Sequence, residues 1–351
     1  MSGASLPHPN RIGCGTAESM RAPLLAGIGL GLVAAVVFAS ATTGSLLVRF
    51  ILMFITPMPI ALAGLGWGWR SAVVAVAAGA GLILVLTSPL VAVAFAVTQG
   101  VPMAVLTYLA LLSRPLSESD TSSPNAQPAS LEWYPPGRLV IWAAVMSGLI
   151  AVAMLLMMAG DMETLRKSLA DFMKAAIESG LPRPEGAPAL SDAELAALSE
   201  VTLSVLPAAF ATSWMGSLLF NLWVSGRVTL ASGQLGRPWP DLAALTYPTG
   251  TALGFGIMLV ATMLTGYAGV AASAFAGGFF VAYVLLGLAV IHYTTRGQPW
   301  RLFALWALYG FLLVGNVWAA IVVAMLGLAE AILQLRARMP APPAPPAQPN
   351  S

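Results

Sequence analysis

Among the few polar side chains inside the long apolar runs are Gln99, Thr212, Ser213, Ser217, Asn221 and Asn316. A buried amide or hydroxyl is costly unless it is hydrogen-bonded, so such groups either bridge helices or line a wet cavity. Thr212, Ser213, Ser217 and Asn221 recur at steps that keep them near one helical face, and both uses are open to them. Two prolines add a second kind of chemistry. Pro57 and Pro59, in "RFILMFITPMPIAL" (49 to 62), lack amide hydrogens, so the carbonyls of Met53 and Ile55 lose their ordinary helical donors. Backbone freed in this way is tolerated at membrane depth where it lines a cavity or is packed by neighbouring helices. "TQGVP" (98 to 102), Pro207 and "TYPTG" (246 to 250) are further interruptions. Arg49, at the end of the first Pro-broken run, either snorkels to the headgroups or binds an anion. The candidate solute-binding residues are therefore Arg49, Pro57, Pro59, Gln99, Ser217 and Asn221.

Other chemistries lack their residues. His8 and His292 are far apart, Cys14 is the single cysteine, and no H-E-x-x-H or equivalent ligand spacing occurs. No metal, no cofactor and no enzymatic activity are expected. "GIGLG" (27 to 31) and "GLGWG" (64 to 68) superficially suggest phosphate loops but lack the strand-turn-helix setting that gives such loops their function. A net charge of +2 spread over 351 residues gives no nucleic-acid footprint.

The elements that must position these groups are membrane helices. Apolar residues make up 58% of the chain and charged residues 9%, and the apolar ones fall into runs of the length that spans about 30 Å of hydrocarbon. Alternating ten-residue segments are absent, so the fold class is all-α, a polytopic transmembrane bundle rather than a barrel. Spans are expected near 23 to 41, 46 to 66, 71 to 87, 90 to 112, 138 to 159, 201 to 226, 248 to 265 and 268 to 292. The run 301 to 335 is too long for one ordinary span, and Gly310, Gly315 and Asn316 are places to break it, so eight to ten crossings result. Ala39-Ser40-Ala41 fits a signal-peptidase site, but an uncleaved first helix is the simpler expectation.

Around the spans lie a polar arm (1 to 22), a Ser/Pro-rich linker (113 to 137), an acidic segment (160 to 200) and a Pro/Ala tail (339 to 351). The linker divides a first transmembrane group, 23 to 112, from a second, 138 to 338. In the acidic segment Met162, Leu165, Leu169, Phe172, Met173 and Ala176 share a helical face, and Ser191 with Glu194 has capping-box spacing. An amphipathic helical hairpin outside the membrane is the expectation. With the N-terminus in the cytoplasm, Arg11, Arg21, Arg70, Arg114, Arg138, Arg227, Arg237, Arg296 and Arg301 all fall inside, as the positive-inside rule favours. Arg336 and Arg338 join them if the last run is a hairpin. Gly27, Gly31, Ala35 and Ala39 make a smooth strip on the first span, suited to close approach of another helix of this chain or of a separate subunit.

Four stretches, "TPMPIALAGLGWGWR" (56 to 70), "FNLWVSGRV" (220 to 228), "LLGLAVIHYTTR" (285 to 296) and "MLGLAEAILQLRAR" (325 to 338), together resemble the YybS-like family of polytopic bacterial membrane proteins, a domain of unknown function. The resemblance covers most of residues 23 to 338 and implies a bacterial inner membrane location. More distantly the chain is similar to the S-components of energy-coupling-factor transporters, although it is longer and has more spans. That likeness implies transport of a small solute, with the first-helix strip docking a coupling subunit. A scaffold of the cell envelope, docking other membrane proteins without transport, is the alternative. The bilayer is the partner common to both readings.

Overall fold

The computed structural model describes residues 16–115, 131–158, 161–178 and 191–339. Cys14, His8, most of the N-terminal arm, the middle of the linker, the "SGLPRPEGAP" breaker and the Pro/Ala tail lie outside the described residues. The described chain is helical apart from one short pair of strands, and eight of its helices are long and apolar enough to cross a membrane. Two compact units result, one from residues 1–108 with 224–236, the other from 109–223 with 237–351.

In the first unit, helices α1 (Thr16–Ser40), α2 (Leu46–Ile55), α3 (Met58–Trp67) and α4 (Trp69–Leu86) are followed by α5 (Pro89–Phe95), a π-turn (Ala96–Gly100) and α6 (Val101–Ala110). Ser45 and Ser88 cap α2 and α5 by accepting from the amides of Val48 and Val91. The α1 strip makes the close approach its small residues permit, and its neighbour is α4. A Cβ added at Gly31 would lie 2.2 Å from the Ala75 carbonyl oxygen, and one at Gly27 2.8 Å from that of Ser71. Ala35 is buried and Ala39 half-buried beside them.

The second unit opens with strands β1 (Ser113–Pro115) and β2 (Leu131–Trp133), antiparallel with Arg114 opposite Glu132. The ends of the expected flexible linker thus form a paired stem. Helices α7 (Pro136–Met158), α8 (Met162–Glu178), α9 (Asp192–Ala231), α10 (Thr251–Ala261), α11 (Gly266–Thr294) and α12 (Arg301–Leu333) follow, α9 contributing its last turns to the first unit. The capping box forms, the Ser191 amide donating to Glu194 Oε2 at 2.8 Å. The first turn of α8 is packed down: Leu165 is fully buried with Leu155, Leu203 and Val270, Met162 packs beside it, and Arg166 pairs with Glu200.

One expectation changes here. The run 248 to 265 is not a full helical span, because α10 has only 11 residues, about 16 Å of helix. An extended leg, 245–250, precedes it and ends at Gly250, whose φ of +90° favours glycine. Along this leg the Tyr247 hydroxyl donates to the Ala282 carbonyl, and Tyr283 donates to Thr251 at 3.3 Å. Leg and short helix together follow α11 for most of its length.

The α12 run of 33 residues would be about 50 Å long if straight. Yet Arg301 donates to the His292 carbonyl at 3.0 Å, and the Arg336 guanidinium carbon lies 5.7 Å from the Tyr293 ring centre. Both ends of the run therefore sit at the C-terminal end of α11. The reversal is at Asn316, with φ 49° and ψ −129°, and a Cβ on Gly315 would come within 2.8 Å of Ala319 Cβ. The last run is a helical hairpin with halves 301–315 and 317–333. Leu302, Phe303, Trp306, Leu313 and Val314 on the first half are exposed, a surface for lipid rather than water.

Candidate functional site

In the first unit two helix irregularities meet. Pro57 and Pro59 are buried, but Thr56 and Pro57 keep right-handed helical dihedrals, so the segment is kinked and not unwound. Thr56, fully buried, donates to the Leu52 carbonyl at 2.8 Å, and Ser225 donates to the Met58 carbonyl at 3.3 Å. The second irregularity is the π-turn, where the Val101 amide bonds to Ala96 five residues back. One extra residue in a turn rotates the side chains that follow, and such turns are frequent at functional sites. Here Gln99 points into the unit at 1% exposure. Its Nε2 donates to the Met53 sulfur at 3.3 Å, and its Oε1 has no partner. Met53 is the residue whose carbonyl Pro57 leaves without an amide donor, so the two irregularities share one side chain. A thioether is a weak acceptor, and the Gln99 amide is therefore poorly satisfied by the protein around it.

The remaining sequence candidates lie elsewhere. Arg49 is exposed on the first turns of α2. Ser217 and Asn221 are buried in the second unit. Asn221 Nδ2 donates to the Ser217 carbonyl at 2.8 Å and to its hydroxyl at 3.3 Å, bonds within its own helix. Thr212 donates to the Gly277 carbonyl and Ser273 to that of Ser204, so polar side chains here tie α9 to α11. Gln99 belongs to the first unit, and Ser217 and Asn221 to the second.

Three features of the second unit stand outside the candidate residues read from the sequence. The first is a node around Arg336, which is 8% exposed. Its Nε bonds Glu330 at 2.9 Å, while its two terminal nitrogens donate to the carbonyls of Ala243 and Leu245 at the head of the extended leg. Backbone that would otherwise want donors at this depth receives them from one guanidinium. Nearby, Arg296 forms a two-pronged pair with Asp241 at 2.8 and 2.9 Å, and its hydrogen bonds hold the Asp241 carboxyl below its ordinary value. The second is an apolar cleft of about 550 Å³ lined by Gly250, Leu253, Phe255, Leu259, Leu328 and Ile332, beside the start of α10. The third is a smaller cleft, about 360 Å³, at the base of the strand pair. The "TYPTG" turn and the pairing of Glu330 with Arg336, six positions apart, were within reach of the sequence, but the Ala243 and Leu245 carbonyls that Arg336 holds are 93 and 91 positions from it. Among the described residues no group of His, Cys, Asp and Glu is placed to hold a metal ion.

Residues 32–330 match the family model described as "Predicted membrane protein (DUF2232)". No curated protein and no solved structure matches the chain.

Proposed function

The chain belongs to this family of predicted membrane proteins, and from that premise we propose that it is a small-solute binding or permease-like protein of the bacterial inner membrane. The observation that carries the reading is Gln99: a buried amide on a π-turn, its oxygen unpartnered, against a Pro-kinked helix. An unpaired buried polar group costs about 1 to 3 kcal/mol, and a solute donor at Oε1 would remove that cost. In this reading Pro57 leaves the carbonyl of Met53, the residue that Gln99 contacts, without its helical donor, and the distant resemblance to S-components supports a transport role. Ser217 and Asn221 act as helix packing, and no catalytic step is involved.

Orientation follows from the arginines. Arg114, Arg138, Arg237, Arg296, Arg301, Arg336 and Arg338 gather at one end of the second unit, which the positive-inside rule assigns to the cytoplasm, with the N-terminus on that side. An envelope scaffold has less support, because the α1 strip that would dock a partner or a coupling subunit is filled by α4.

The test is purification in mild detergent with mass spectrometry of co-purifying small molecules, comparing the natural protein with Gln99→Leu. A stoichiometric solute lost in the variant is the expected result. Should the natural protein carry no solute while Gln99→Leu gains about 1 kcal/mol of stability, Gln99 is only a packing flaw and the reading fails.

A further inference from the structure

The 360 Å³ cleft at the strand pair differs from the Gln99 locus in its charge. It is lined by Leu112, Arg114, Glu132, Trp133, Tyr134 and Arg138, with Ser113 and Pro135 completing it. Its place follows from the helices. The span Pro89–Ala110, of which α6 is the last part, and the span that begins at Pro136 are each long and apolar enough to cross a membrane, so the cleft lies level with their ends. Trp133, Tyr134 and Trp142, whose Nε1 donates to the Tyr134 hydroxyl at 3.1 Å, are the side chains that settle in a headgroup layer. The strand stem and the Tyr134 amide bond to the Leu112 carbonyl keep the walls in place.

The arginines here are unevenly matched. At this end of the unit Arg114, Arg296 and Arg336 pair with Glu132, Asp241 and Glu330. Arg138 and Arg237 have no carboxylate partner among the described residues. Arg138 is exposed at the cleft. Arg237 lies over the Trp133 ring at 5.7 Å and caps the end of α6 by donating to the Ala110 carbonyl at 2.8 Å, while its Nε is buried without a partner. Burial lowers the Arg237 pKa, the sign expected of a cation desolvated without a counter-charge. Guanidinium forks match phosphate oxygens two at a time, and a cleft at the small end of the ligand-pocket range holds a headgroup rather than a whole lipid.

We propose that this cleft binds a phosphate group, held by Arg138 and Arg114 with Arg237 behind Trp133, as carried by an anionic phospholipid or a soluble phosphate ester. The proposal is independent of the solute reading at Gln99.

The test titrates delipidated full-length protein in detergent with phosphatidylglycerol, phosphatidylcholine and glycerol 1-phosphate, read by native mass spectrometry. The natural protein is compared with Arg138→Gln and with Arg338→Gln, an exposed arginine at the same end but outside the cleft. Arg138 is itself exposed, so its replacement leaves folding intact, which size-exclusion elution checks; Arg114→Gln serves as a second cleft variant. Preference for phosphatidylglycerol that falls about ten-fold in Arg138→Gln and is unchanged in Arg338→Gln supports the proposal with lipid as the source. The same variant pattern for glycerol 1-phosphate, without lipid preference, supports it with a soluble ester as the source. Equal binding by the natural protein and both cleft variants, or equal loss in Arg338→Gln, overturns it.

Discussion

At the scale of single residues, burial decides which charges matter. Arg336 and Glu330 are both about nine-tenths buried, and Arg336 also satisfies the carbonyls of Ala243 and Leu245 at the entrance to the extended leg. Replacing Arg336 by Met strands a buried carboxylate and two carbonyls, and thermal unfolding in detergent is expected to report a loss of about 3 to 5 kcal/mol. Removing Glu330 as well, in Arg336→Met with Glu330→Leu, recovers part of that loss. Asp241 and Arg296 are more exposed, so solvent discounts their pair, and Asp241→Asn is expected to cost about 0.5 to 1 kcal/mol. Because the native Asp241 pKa is depressed, its contribution is complete above the unfolded value near 3.9 and is lost as pH falls through the lower native value. The difference between natural protein and Asp241→Asn should therefore be constant from pH 7 to 5 and shrink only on stronger acidification. Gln99 was legible as a mid-span amide. Its partner Met53 was not, since a thioether acceptor 46 positions away leaves no pattern.

At the scale of elements, small residues and special dihedrals set the packing. Gly31→Val places a side chain inside the α4 backbone, where the first added carbon already lies 2.2 Å from an oxygen. A loss of about 1 to 3 kcal/mol is expected from overpacking, whereas Gly29→Ala, with open space around it, should be neutral in the same thermal measurement. Asn316 occupies a region that glycine favours, so Asn316→Gly is expected to be neutral or stabilising and Asn316→Val to cost about 1 to 3 kcal/mol. The same glycine strip was readable from spacing alone, but which helix fills it was not. The error at 248 to 265 has a similar origin. Hydropathy reports that a segment tolerates lipid depth, not that its backbone is helical, and Arg336 donates to the carbonyls of Ala243 and Leu245 where the extended leg begins.

At the scale of the whole molecule, the hairpin form of the last run has a direct consequence for topology. In a Cys14→Ser background, Gln298→Cys and Met339→Cys are expected to react with a membrane-impermeant maleimide from the same side, and Val314→Cys not to react from that side. Labelling of positions 298 and 339 from opposite faces would mean that the run crosses once as a straight helix. The hairpin brings Arg336 and Arg338 to the end that already holds Arg296 and Arg301, and the charge asymmetry of the second unit rests on that fold-back.

Hydropathy, run length and sparse charge alone determined that this is a multi-pass helical membrane protein, because a bilayer admits few ways to satisfy a backbone. They also placed most spans, the Pro kink and the break at Asn316, each encoded by residues adjacent in the chain. Only the tertiary structure decided that α4 fills the α1 strip, that Gln99 meets Met53 and that Ser217 and Asn221 fall in the other unit. It alone showed Arg336 tying down the extended leg and arginines from separate segments surrounding one cleft. Those outcomes depend on pairings between distant positions, and apolar helices are so alike in composition that the sequence carries almost no mark of which neighbours they choose.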